Sequence, residues 1–128
     1  MIKTINLSDI ALDWAVSKAM GWVEDSDVEW FLKEKPYCVS TDEIKGKSLI
    51  DSEGVSFFTQ DSWQDMHGNF YSIPSAKHPL SNMIFQADTK LGAAMKSIVH
   101  AHLGDEVDIP VLILQGSAKD KMVKKNRI

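Results

Sequence analysis

The stretch that decides the fold is DTKLGAAMKSIVHAHLG, Asp88–Gly104. Leu91, Ala94, Met95, Ile98 and Val99 recur at steps of three and four, which draws one apolar stripe down an α-helix. Asp88 or Thr89 is placed to cap its start, and Gly104 to end it. A helix with one apolar stripe must bury it against another element. The best partner is INLSDIALDWAVSKAMG, Ile5–Gly21. There Ser8 suits an N-cap, Asp9 suits the positive helix start, Leu7 is spaced to staple onto Leu12, and Gly21 is a natural stop. Its stripe is Ile10, Ala11, Trp14 and Ala15, with Ala19 and Met20 near the end; Asp13 and Ser17 lie off it.

Between these helices, of about 8–20 and 89–103, the pattern is more broken. SDVEWFLKEKP predicts a short helix with Ser26 and Glu29 at capping-box spacing, stopped by Pro36. Tyr37 to Val39 reads as a short strand and STDEIKGKS as a polar loop. GVSFFTQ reads as a second strand, and DMHGNFYSI as a turn feeding a third at Phe70 to Ile73. Pro74 and Pro79 mark PSAKHPLSN as loop. After Pro110, VLIL is either a last strand or an apolar extended segment. The expected fold class is α+β: a small antiparallel sheet of three to four strands packed with two main helices. One domain over 1–118 and a basic, flexible tail over 119–128 are expected.

The chain has 128 residues, enough for a core of its own. No apolar run approaches the ~20 residues that span a bilayer, and MIKTINLSDI lacks the apolar region of a signal peptide. The lone Cys38 has no disulfide partner in the chain and fits a reducing compartment, so the cytoplasm of a host cell is the expected location. The tail from Lys119 carries five Lys/Arg and one Asp; removing these from 14 basic and 18 acidic residues leaves 9 against 17, so residues 1–118 are near −8. An acidic body disfavours nucleic-acid contact except through that tail.

His100 and His102 stand two apart, about 200° around a helix axis, so they cannot share one metal while the helix holds. Both are expected in its last turn, where histidine interacts well with the negative helix end. His67 and His78 fall in predicted loops without a partner at ligand spacing. Asp25/Asp27 and Asp105/Glu106 read as solvated helix flanks. His67 with Asp65 or Asp61 is the only acid–base pairing that sequence proximity offers. No metal, no cofactor and no enzymatic chemistry are expected.

ALDWAVSKAMG, the STD after Tyr37, and TKLGAAMKSIVHAHLGDEVDIP occur in the order found in the phage and prophage NinX-like proteins, and over residues 4–110 the chain resembles that family. Its usual G-P-T-P-L is Ala87–Leu91 here, and its Arg after Ala-Ala-Met is Lys96. The resemblance implies viral origin and intracellular action, and no mechanism.

Two binding roles follow. The first is capture of a small anionic, nucleotide-derived host signal at the start of the second long helix, where free N–H groups and the helix dipole favour anions. Thr89, Lys90 and Gly92 would form that end of the site. Ser40, Thr41, Lys45 and Lys47 would add donors from the STDEIKGKS loop, and Trp63, Tyr71 or Trp14 a stacking face, although the place of Trp14 on its helix stripe favours the core. The second is a protein–protein inhibitor or adaptor acting on a host protein through Trp22, Trp30 and Phe31 beside an acidic segment, unless Val28, Trp30 and Phe31 only dock their helix. A homodimer with VLIL as edge strand is compatible with either.

Overall fold

A computed structural model describes residues 2–64 and 66–115, and the side chains of all of these except 59–63 and 70–72. The fold is α+β. In chain order the elements are β1 (Ile2–Lys3), α1 (Asp9–Ala19), α2 (Val28–Glu34), α3 (Glu43–Glu53), β2 (Ser56–Gln64), β3 (Phe70–Lys77), β4 (Phe85–Gln86), α4 (Lys90–Leu103) and β5 (Glu106–Val107). One antiparallel sheet has the order β2-β3-β4. A second, two-stranded, pairs β1 with β5 and so ties the first strand to the chain leaving α4.

The two expected long helices form and pack on one another. Ala93, Ala94, Met95, Ile98 and Val99 of α4 are fully buried, as are Trp14, Ala15 and Val16 of α1. Alanines at this contact let the backbones approach closely. Trp14 is core, edge-on to Phe31 with ring centroids 5.1 Å apart. The α1 stripe is wider than expected: Asp13 and Ser17 are also buried. Ser17 satisfies its hydroxyl by donating to the Asp13 carbonyl, 2.8 Å away. Gly21 and Gly104 take the positive φ of helix stops.

Four expectations are corrected. STDEIKGKS is no loop, because its last six residues, Glu43–Ser48, open α3. Asp42 caps that helix, its carboxylate accepting from the N–H groups of Ile44 and Lys45. Gly46, Leu49 and Ile50 make the buried face. Gly46 is there for space: a Cβ would lie 2.6 Å from both Leu91 Cδ2 and the Val39 carbonyl oxygen. Tyr37 to Val39 is irregular, with Cys38 O accepting from Thr41 N and Asp42 N to turn the chain into α3. The loop assigned to Pro74–Asn82 begins later, since β3 runs through Pro74 to Lys77. Pro74 sits opposite Thr59, where the β2–β3 register shifts, and such an irregularity is where a strand tolerates a missing N–H. Its carbonyl still accepts from Ala87 N. Finally, 111–115 is helical and Ile113 is fully buried, so VLIL offers no edge strand for dimerisation. A smaller correction concerns the start of α2: Asp27 accepts from Glu24 N, in place of the Ser26–Glu29 pairing. The 119–128 tail lies outside the described residues.

Candidate functional site

A cleft of about 650 Å³ opens where the first turns of α1 and α4 meet the Ser40–Thr41 turn and the 73–74 segment of β3. Its lining includes Ser8, Asp9, Ser40, Thr41, Thr89 and Lys96. Ser40, Thr41, Thr89 and Gly92, four of the residues expected to bind a ligand, therefore share one cleft although up to 52 positions separate them. Thr89 is the cap of α4, accepting from Gly92 N at 3.0 Å.

Asp13 holds the Ser40 side of the cleft. Its carboxylate accepts from Ser40 N at 2.9 Å across 27 residues of sequence. Burial pushes the Asp13 carboxyl up to about 6; the bonds from Ser40 pull the other way, and Asp9 adds repulsion. The buried Ser40 hydroxyl lies close enough to this carboxylate to help lower its pKa, although the contact falls short of full hydrogen-bond geometry.

At the start of α1, Ser8 occupies the cap position without making the cap bond, so its hydroxyl is left beside the cleft. Asp9, the next residue, has φ of 53°, in the left-handed region. That conformation costs a non-glycine residue about 1–2 kcal/mol and gathers at binding sites.

Lys96 is the cation of the cleft lining, and sequence reasoning passed over it as a site residue. Its ammonium donates to the carbonyls of Ile5 (3.0 Å) and Gln86 (3.3 Å), leaving a third proton to offer. Burial lowers its pKa, while the charge of Asp88 raises it. A helical signal existed: Thr89, Gly92 and Lys96 follow one another at steps of three and four, one face of α4. Asp13 gave no such signal, because its burial depends on a turn far along the chain.

The remaining predicted site residues lie elsewhere. Lys45 donates to the Pro36 carbonyl, and Lys47 is exposed on α3, because the loop expected to bring them to the cleft is a helix. Lys90 points out over the Phe57 ring, 5.9 Å from its centroid. Trp63 has its backbone in β2, paired with Tyr71, while its side chain is outside the described residues. So are Asp65 and the side chain of Asp61, the acids expected beside His67.

His100 and His102 do sit in the last turn of α4, pointing different ways. His100 meets Asp105 and Ser81, and His102 meets Glu53. His78, which the sequence left without a partner, is buried against Glu53.

A second surface feature surrounds Tyr37. The rings of Trp22 and Trp30 lie 4.9 and 6.4 Å from it, and the two tryptophans are 39% and 45% exposed. Phe31 and Val28, both buried, dock α2; Trp30 does not. Among the described residues no helix is long and apolar enough to cross a membrane.

The fold and the cleft define an α+β protein with a recess between two helix starts, lined by both apolar and polar side chains. No protein-family model matches the chain, and neither a curated protein nor a solved structure is significantly similar to it.

Proposed function

We propose that the chain is a non-enzymatic binding protein that captures a small anionic, nucleotide-derived ligand in the cleft between α1 and α4. The observation that carries this reading is the recess itself, which gathers Ser40, Thr41, Thr89, Gly92 and Lys96 from distant parts of the sequence around a volume in the range of small-molecule sites. The start of α4 and the Lys96 ammonium favour negative charge there. Asp9 and Asp88 line the same recess and oppose it, so the ligand must also bring N–H or O–H donors for these carboxylates. Phosphate together with ribose hydroxyls or a base amino group meets both demands. The NinX-like resemblance supports a phage accessory role inside the host cell, with sequestration of a host defence signal as its purpose.

The test is native mass spectrometry of protein purified from expressing cells, with a denatured control. Calorimetry against cyclic di- and trinucleotides and ADP-ribose derivatives follows. Bound mass lost on denaturation, and at least about tenfold weaker binding by Lys96→Met, are expected. A clean apo mass with silence across the nucleotide panel refutes the reading.

The exposed aromatic cluster favours a second reading, an inhibitor or adaptor that docks a host protein through Trp22, Trp30 and Tyr37. Exposed Trp and Tyr side chains are the residue types that anchor interfaces. Loss of a specific host partner on Trp22→Ala or Trp30→Ala, with the cleft variant Lys96→Met still bound, would select this reading over the first.

A further inference from the structure

At the far end of α4, roughly 15 Å along the helix from Gly92, three sequence-distant segments bring ligand-type side chains to one point. They are Glu53 in the last turn of α3, His78 just after β3, and His102 in the last turn of α4. One ligand atom from each lies within 4.8 Å of the others. His102 Nε2 is 2.5 Å from Glu53 Oε1, and His78 Nε2 is 3.3 Å from the same oxygen. The two imidazole rings stand edge to face, 5.7 Å apart. In tetrahedral zinc sites with bonds near 2.1 Å, ligand atoms sit about 3.4 Å from one another, so shifts of about 1–1.5 Å convert this cluster into a coordination shell.

We propose that Glu53, His78 and His102 form a binding site for a divalent transition metal, with zinc the ion that suits the donor set. Two imidazole nitrogens and one carboxylate match zinc and its first-row neighbours, whereas magnesium and calcium take oxygen ligands. The carboxylate supplies the negative charge that draws a cation. His78 is 3% exposed and forms the floor, while His102 has a third of its side chain exposed and forms the mouth. Three protein ligands with one side open leave a coordination position for water. The site is independent of the α1–α4 cleft.

Proton balance sets the chemistry of loading. His78 Nδ1 accepts from Leu80 N at 3.0 Å, so the proton of its neutral ring is on Nε2, facing Glu53. Ligation through Nε2 requires that proton to move to Nδ1, which makes this nitrogen a donor and breaks the Leu80 contact. The cost is one neutral hydrogen bond at an exposed loop residue, where water replaces the lost partner. His102 ligates through Nε2 by the same tautomeric shift.

The experiment is a zinc titration of the tag-free full chain in competition with a chromogenic chelator, repeated with Glu53→Gln, His102→Ala and, as control, His67→Ala. One equivalent per chain is expected, weakened more than about 100-fold by Glu53→Gln and by His102→Ala and unchanged by His67→Ala. Imidazole ¹⁵N spectra of the unmutated chain keep the test valid if a variant fails to fold: the His78 and His102 nitrogens shift on zinc addition. No stoichiometric uptake, uptake by Glu53→Gln and His102→Ala as tight as by the unmutated chain, or ¹⁵N shifts confined to His67 and His100 would overturn the proposal.

Discussion

Replacing Asp13 with Asn should stabilise this protein at neutral pH, although Asp13 is buried and hydrogen-bonded. Asp13 is 6% exposed, and burial pushes its carboxyl up to about 6 in the fold from an ordinary 3.8. Between those values the folded state holds a proton that the unfolded chain has released. Stability therefore falls as pH rises from about 4 to 6, and above 6 the full penalty of a buried charge remains. That difference in pKa corresponds to about 3 kcal/mol, which in a chain of this length is on the order of 10 °C in Tm. Asn removes the charge and keeps an oxygen to accept from Ser40 N. Its amide can also donate to the nearby Ser40 hydroxyl. Urea denaturation at half-unit steps from pH 4 to 8 is the assay. The stability gained by Asp13→Asn should grow from near zero at pH 4 to about 3 kcal/mol at pH 7.5. Parallel pH profiles for the two proteins, or a variant less stable at pH 7.5, would refute the reasoning, because the charge would then be compensated. Asp13→Ala, which drops the Ser40 N–H, should by contrast loosen the cleft wall.

Two further predictions concern α3, the element hardest to see in the sequence. Gly46→Ala places a methyl 2.6 Å from the Val39 carbonyl, a backbone atom that cannot swing away, and should cost about 1–3 kcal/mol in urea denaturation. An unchanged midpoint would mean that α3 does not lie so close to Leu91. Asp42→Ala removes the acceptor for two N–H groups and should cost about 1 kcal/mol; Asp42→Asn should recover most of it.

The amino-acid sequence by itself determined α1 and α4, because their apolar residues recur at helical spacing and carry their own start and stop signals. The composition of the β2–β3 segment made it a hairpin, and the 200° between His100 and His102 ruled out a shared metal without any coordinates. Local chemistry is enough for such features. Lys96 was legible in part, as the next residue on the Thr89–Gly92 face. The rest required tertiary structure. Charges and a glycine made the α3 segment look like loop, yet Gly46 is the residue that lets the helix lie against Leu91 and the Val39 carbonyl. Pro74 looked like a strand breaker, and only its register opposite Thr59 shows why it is tolerated. Asp13 was read as off the apolar stripe, but a turn 27 residues away buries it and uses its charge. Glu53, His78 and His102 share no spacing at all. Long-range packing alone brings such groups together, since side chains 24 to 49 positions apart meet only when the elements that carry them dock.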